Sequence, residues 1–481
     1  MKIDTLFIRN FRCFGAEAET LRFENGVTAL VGGNGAGKTA ALQALARLFG
    51  VSSAERQIQT RDFHLRPDQT ELDPGATLSI ECILSFPELD GLDEAAAADA
   101  VPDFFNHMAA TGPGEPLKAR MRLAAADSPF DQEKLRRAHL TILAIEEPEN
   151  SLSPFFLSRI MNQARDIGAL SSAQVLISSH SASILSRIKP DEVRYFRLDT
   201  TSRASSVKSL TLPDDATEAG KYVRLAVRAY PELYFARFVI LGEGDSERIV
   251  LPLLAEAMGV PLDPSFVPVV PLGGRHVDHF WRLLDALKIP HATLIDLDLG
   301  RSHGGANTIR ATVGSLAEIG NDLSNNLDVM MEVVELANLP ALSDEEMTDG
   351  FAENNWMQAL KDEGVFFSDP LDLDFAMLAA FPDAYKELDP GAHGPDDSEE
   401  ALERKKAATL KKGGNAGLYD PEWDDCFIWY PYLFLSRSKP ETHLAAINRI
   451  PKADLAANAP PELCALVQHV KMKLGLENGA D

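Results

Sequence analysis

Two stretches of this chain combine residue types and spacings suited to phosphate chemistry. Gly32-Gly33-Asn34-Gly35-Ala36-Gly37-Lys38-Thr39 fits G-x-x-x-x-G-K-[ST] between an apolar strand and an apolar-periodic helix. Glycines at such a turn let backbone N–H groups face a phosphate at a helix N-terminus. Gly32, Asn34, Gly35 and Gly37 would form the cradle, Lys38 would reach the β- and γ-phosphates, and Thr39 would hold Mg2+. Far downstream, Glu243-Gly244-Asp245-Ser246-Glu247 ends one apolar strand and opens a helix, and Asp296-Leu297-Asp298 ends another strand. Strand ends of a parallel sheet share one edge, so these acids can converge there. Oxygen donors suit hard cations such as Mg2+ or Mn2+. Two such ions about 4 Å apart activate water and stabilise the leaving oxygen of a phosphodiester. A lone D-x-D is usually a pair of solvated acids, but the joint pattern is far more specific.

The run ILAIEEPENSLSP (142–154) reads as a Walker B strand serving the first site. Four apolar residues are expected to bury the strand and present Glu146 to the Mg2+ shell and Glu147 to the attacking water. VLISSHSASIL (175–185) places His180 just after another buried strand, where it would sense the γ-phosphate.

The elements that position these residues follow from periodicity. LFIRNFRCF, LRFENGVTALVGG, TLSIECILSF and QVLISS read as strands, and AALQALARLFG and 155–167 as helices. From 236 onward strand and helix patterns alternate, which implies βαβ units and a parallel sheet. The expected fold class is α/β: an ATPase domain over 1–228 and a second, Rossmann-like domain over 229–481 with a helical C-terminal part. Residues 90–135 read as a shortened or irregular insert, 200–220 as a linker, and 388–425 as a long loop or mobile insert.

A length of 481 residues allows two or three domains of roughly 100–200 residues each. The net charge of −26 excludes a protein that coats nucleic acid by bulk charge, although it leaves room for a local basic groove. Cys13, Cys82, Cys426 and Cys464 are widely spaced with no CxxC pair, which argues against a disulfide scaffold and for a reducing, cytoplasmic setting. The N-terminus lacks the apolar core of a signal peptide, and no apolar run is long enough to span a membrane.

IRNFRCFG, GGNGAGKT, AIEEPENSLSP and ISSHSASIL resemble the ABC-type ATPase heads of the RecF, SMC and OLD (overcoming lysogenization defect) proteins. That resemblance implies ATP sandwiched between protomers, hence a homodimer or higher homo-oligomer. The stretch 125–140 lacks the Ser-Gly signature pattern of such heads, so ATP binding is implied more strongly than hydrolysis. ELYFARFVILGEGDSERIVLPLLAEAMG followed by Asp296-Leu297-Asp298 resembles the Toprim domain of OLD nucleases. Carried over by position, Glu243 is a metal ligand or general base, and Glu247, Asp296 and Asp298 are further ligands. A later acid is implied at Asp372 or Asp374, with Asp374 favoured, and a catalytic lysine at Lys439. Arg301, His303 and Arg310 are candidates to meet phosphates, Gly273-Gly274-Arg275 to cap the rim, and Arg404, Lys405, Lys406, Lys411 and Lys412 form a basic patch that reads first as a solvated helix face and alternatively as a DNA-contact loop.

The resemblance implies an ATP-regulated, metal-dependent DNA endonuclease in bacterial defence against phage, like the Gabija nuclease or retron-associated OLD effectors. Phage or plasmid DNA and a partner protein of the defence system would be its partners, and no membrane is involved. Three other readings use the same motifs: an ATP-gated DNA scaffold with a silent Toprim domain, a nuclease for RNA or tRNA, and a topoisomerase or primase. The last would need a transesterifying tyrosine such as Tyr432 in a DNA-binding domain for which the chain has no room.

Overall fold

In this computed structural model the strands of the first unit, Met1–Phe235, are Lys2–Arg9 (β1), Glu19–Arg22 (β2), Val27–Gly32 (β3), Thr77–Ser85 (β4), Lys118–Ala126 (β5), Thr141–Glu146 (β6), Ala173–Ser179 (β7), Val193–Leu198 (β8) and Ser205–Ser209 (β9). The residues described are all but 51, 70, 74, 88–117, 127–139, 152–153, 171–172, 200–201, 203, 210–229, 273–276, 322, 324–325, 348–354, 389–390, 392 and 477–481. Most of the expected 90–135 insert and 200–220 linker, residues 127–139 of the 125–140 stretch, and Gly273-Gly274-Arg275 therefore lie outside the described residues. The described part of the insert is not irregular: β5 pairs antiparallel with β4 from Lys118–Ser85 to Ala126–Thr77.

Two sheets form this unit. β2-β1-β4-β5 is antiparallel, whereas β6-β7-β3-β8 is parallel and gains β9 antiparallel at its far edge. The sequence LRFENGVTALVGG thus splits between them, because Gly26 breaks the run and β2 and β3 pair with different partners. Gln174 ties the sheets by exchanging hydrogen bonds with the backbone of Ile3, at 2.7 Å to its N–H and 3.0 Å to its carbonyl. The core between them is filled by Leu6, Ile8, Phe11, Phe14, Leu30, Ala41 and Ala44. β3 is wholly buried, as its unbroken apolar run requires of a central parallel strand. β6 differs from expectation. Among the described residues it is the sheet edge, and its residues are exposed or half-buried.

The second unit, Ala236–Asp481, begins just past the boundary expected at 228. Its strands Val239–Gly242 (β10), Val269–Pro271 (β11), His291–Asp296 (β12) and Val365–Ser368 (β13) form one parallel sheet in the order β11-β10-β12-β13. Helices Asp245–Ala257, Leu373–Ala380, Asp424–Tyr430, Lys439–Ile447 and Pro461–Lys473 share its core, among them Leu251, Phe375, Phe427 and Val467. The expected loop at 388–425 contains a helix, Glu399–Leu410, started by Ser398, whose side chain accepts from the Ala401 N–H. Its helical signal is weak because only Ala401, Thr409 and Leu410 are buried on it. No helix among the described residues is long and apolar enough to cross a membrane.

One buried charge cluster braces the Gly-rich turn. Asp62, fully buried, accepts from Arg12 at 2.8 Å and from Arg47 at 2.9 Å, and Arg47 belongs to the helix Lys38–Phe49 that follows the turn. Burial alone would raise the Asp62 pKa, but the two guanidinium groups and the Gln59 N–H hold it below its usual value. Removing the carboxylate would leave both arginines without a counter-charge, Arg47 keeping only the Glu55 carbonyl. Asp62→Ala is expected to cost about 3–5 kcal/mol of unfolding free energy. Denaturant titration reading less than about 1 kcal/mol would contradict this bracing role.

Candidate functional site

In the first unit the Gly-rich turn joins β3 to the helix Lys38–Phe49. Gly37 has φ 101°, and a Cβ there would lie 2.8 Å from Cys13 Sγ and 2.9 Å from Ser205 Oγ, so no larger residue fits. Lys38 is buried, and its ammonium donates to the carbonyls of Gly32 at 2.9 Å and Gly33 at 3.0 Å. Burial lowers its pKa against the raising effect of Glu147, Glu149 and Glu146. Thr39 is exposed at the start of the helix, as are Asn34 and Gly35 in the turn.

Glu146 ends β6 exposed, opposite Ser178. Glu147 turns into the left-handed region at φ 46° and receives His180 Nδ1 on Oε1 at 3.1 Å. Backbone of this kind costs energy for a non-glycine residue and concentrates at working sites. A third acid that the motif did not single out, Glu149, accepts from Ser179 Oγ at 2.6 Å and from the His180 N–H at 3.3 Å. Its other oxygen is buried with no hydrogen-bond partner among the described residues. The only hint in sequence was its place in Glu146-Glu147-Pro148-Glu149.

In the second unit β10 ends at Gly242, where a Cβ would lie 2.6 Å from Glu247 Cγ. That glycine lets the buried Glu247 fold back over the turn, and its Oε2 accepts from the Gly244 N–H at 2.7 Å. Glu243 reaches across to the neighbouring strand. Its Oε1 accepts from the Asp296 N–H at 3.0 Å, the direct consequence of β10 and β12 running parallel side by side. Asp296 Oδ1 accepts from Ser368 Oγ at 2.6 Å and from the Leu373 N–H at 3.3 Å. Asp298 lies two residues past the strand with φ 55°. One carboxylate oxygen from each of Asp296, Asp298 and Asp372 lies within 4.8 Å of the others.

The two candidates for the later acid have different surroundings, although both line the same cleft. Asp372 caps the helix Leu373–Ala380 by accepting from the Phe375 N–H at 2.9 Å, and its Oδ2 receives Arg301 and the Tyr430 hydroxyl. Asp374 accepts from Ser246 Oγ at 2.7 Å and His443 Nε2 at 2.8 Å, and its Oδ2 meets Lys439 Nζ at 2.5 Å. His443 is itself fixed by Tyr385, whose hydroxyl lies 2.7 Å from Nδ1. Glu243, Glu247, Asp296, Asp372, Asp374 and Lys439 together line a cleft of about 230 Å³.

Arg301 does not stand ready for an external phosphate. It pairs with Asp298 and Asp372, because the loop after Asp298 doubles back on itself. Arg310 donates to the Leu342 carbonyl at 2.6 Å, and His303 is exposed. The basic run is partly spent locally: Lys406 pairs with Asp424, and Lys405 donates to the Asp396 carbonyl. The Tyr432 hydroxyl donates to the His393 carbonyl and is not among the cleft residues.

The electrostatics test whether a divalent cation suits this centre. Burial, then the charges of Asp298, Glu247 and Asp372, push Glu243 up to about 7 against the hydrogen bond from the Asp296 N–H. Burial likewise raises Glu247, Asp296 and Asp372. Burial would also raise Asp374, but His443 and Lys439 overcome it and hold that carboxyl down to about 2. The donor set is all oxygen, crowded and electrically unrelieved around Glu243 and Asp296, which fits a hard divalent ion.

Comparison with known proteins agrees in both halves. The family described as overcoming lysogenization defect protein-like, TOPRIM domain, matches residues 234–298, and the AAA ATPase domain family matches 1–88. An ATPase domain is followed here by an OLD-like Toprim domain. A second AAA domain family matches 125–186. Among solved structures, the C-terminal region of the Burkholderia pseudomallei OLD protein is 19% identical, covering 50% of this chain and 99% of its own, with a TM-score of 0.31. The corresponding region from Xanthomonas campestris pv. campestris is 21% identical over 51% and 99%, with a TM-score of 0.26. The SMC head domain from Thermotoga maritima is 12% identical over 44% and 100%, with a TM-score of 0.27. No curated protein matches.

The raised acids of the Toprim domain make a signed prediction for the metal-free protein. A carboxyl that titrates near 7 when folded and near 4.5 when unfolded keeps a proton that the unfolded chain has released. Stability is therefore lost as pH rises from about 4.5 to 7, by on the order of 2–3 kcal/mol for Glu243 alone. Glu243→Gln keeps the acceptor for the Asp296 N–H and removes the charge. In EDTA its thermal midpoint should exceed that of wild type at pH 8 and approach it at pH 5. Equal midpoints at both pH values would show that the cluster stores no repulsion.

Proposed function

We propose that this chain is an ATP-regulated, divalent-metal-dependent DNA endonuclease of the OLD type, acting in bacterial defence against phage. The observation that carries the reading is the meeting of Glu243 and Asp296 at one sheet edge, with Asp298 and Asp372 beside them and Lys439 in the same cleft. Glu243, Glu247, Asp296, Asp298 and one or both of Asp372 and Asp374 would hold Mg2+ or Mn2+. A cation so held supplies an activated water and neutralises charge on the phosphodiester undergoing cleavage. Glu243 would serve as a ligand of the ion or as the general base for the attacking water. Burial would depress the Lys439 pKa, but Asp374 raises it above its ordinary value, so its ammonium stays charged and can meet a phosphate oxygen. Ser246 and His443 fix Asp374 and thereby aim that ammonium.

ATP with Mg2+ would bind the Gly-rich turn, with Lys38 exchanging its two carbonyl partners for phosphate oxygens. Glu147, held by His180, has the geometry to orient a water, and a dimer of heads would close the nucleotide site. The decisive assay is nicking of supercoiled plasmid with Mg2+ or Mn2+. Glu243→Ala should lower the rate at least about 100-fold, and Lys439→Ala by about 100- to 1000-fold. Equal inertness of wild type and Glu243→Ala would sink the nuclease assignment. Digestion of plasmid, single-stranded DNA and tRNA side by side tests the choice of DNA, and preferential tRNA cleavage would overturn it.

Lys38→Ala is expected to abolish nucleotide binding, measured by fluorescent-analogue titration, while nucleotide-free nicking persists. Loss of that basal nicking in a folded variant would contradict a purely regulatory ATPase domain.

A further inference from the structure

The acids past β12 are already bridged by a cation that belongs to the chain. Arg301 donates from Nη1 to Asp298 Oδ1 and from Nη2 to Asp372 Oδ2, the latter at 3.3 Å. Arginine does not lose its charge in a protein, so this bridge stands wherever the two acids are ionised. The same two residues, with Asp296, form the group of carboxylates close enough to share an ion.

The arginine is gripped from behind. Its Nε donates to the Thr409 carbonyl at 3.2 Å, one of the last carbonyls of the helix Glu399–Leu410, where a cation is favoured. The segment around that helix also holds the loop carrying Arg301. The Asn415 N–H donates to the Gly300 carbonyl at 2.8 Å, and the Tyr419 hydroxyl to the Leu299 carbonyl at 2.7 Å. Tyr430 adds a further donor to Asp372 Oδ2. The Arg301 side chain is only 12% exposed. It is a built part of the centre.

We propose that Arg301 is a positioning residue that stands in for a second divalent ion between Asp298 and Asp372, so that the Toprim centre takes one ion. The guanidinium occupies one oxygen of each acid, and its fixed positive charge repels a second cation from the oxygens that remain. Glu243 and Asp296 are engaged only through backbone N–H and hydroxyl donors, which a bound ion tolerates at the opposite lone pairs. The single ion therefore belongs on their side, and the charge that a second ion would supply comes from Arg301. This inference rests on the nuclease reading given above, but it replaces the pair of ions expected from the sequence with one ion and one arginine.

The test is Mn2+ stoichiometry of the full chain without nucleotide, followed by electron paramagnetic resonance and equilibrium titration. Ions lost in Glu243→Ala are counted as those of the Toprim centre. Wild type should bind one such ion with an uncoupled six-line signal, and Arg301→Gln should bind two with a spin-coupled signal. Two coupled ions in wild type would overturn the proposal and leave the nuclease reading standing. No ion lost in Glu243→Ala would overturn both. Should Arg301→Gln fail to fold, Arg301→Lys serves, since lysine lacks the planar fork that places one donor group on each acid. A second, weaker ion is then expected, and unchanged single-ion binding in a folded variant of either kind would overturn the proposal.

Discussion

Like charge brought together out of water must be compensated, and the second unit is organised around that constraint. Parallel pairing of β10, β12 and β13 brings the residues after Gly242 and at Asp296 to one sheet edge, with the Asp372 helix following β13. The chain supplies three kinds of relief. Backbone N–H groups meet Glu243, Glu247, Asp296 and Asp372, Lys439 and His443 meet Asp374, and Arg301 meets Asp298 and Asp372. These offsets are uneven. Asp374 is held ionised, while Glu243 and Asp296 keep raised proton affinity. The unrelieved charge is thus concentrated where a cation and a water would do most.

The first unit solves the complementary problem with the same geometry. There the strand end presents donors: a turn whose crowding admits only glycine at 37, and a lysine parked on two carbonyls. Lys38 is buried, so a phosphate would meet a charge only partly solvated, which strengthens the contact. Glu147 and Asp298 both adopt left-handed backbone just past a strand of a parallel sheet. In each case the reversal stops the strand and redirects the acid at the edge where ligands bind in such sheets.

Much of this was legible in sequence because strand-end motifs are local. The glycine turn, Glu243 to Glu247, and Asp296 with Asp298 announce themselves within a few residues of an apolar run. Lys439 and His443 are one helical turn apart, a spacing that could have flagged His443 as the partner of the same acid. Arg301 could not be assigned from spacing, since its partners Asp372, Thr409 and Tyr430 come from three distant elements. The helix Glu399–Leu410 was hidden by its charged surface, and the edge position of β6 by an apolar run that looks the same in a central strand.

That helix also supports the acidic centre. A polar segment that reads as a mobile insert instead delivers a carbonyl to Arg301, and the residues after it deliver Asn415, Tyr419 and Tyr430 to the same neighbourhood. Surface helices with few buried residues owe their stability to tertiary contacts more than to propensity. The contacts made here are with the helix Asp424–Tyr430, where Lys406 pairs with Asp424, and with the loop that carries Asp298. The placement of Arg301 among the acids therefore depends on a segment whose own sequence gives no sign of chemistry.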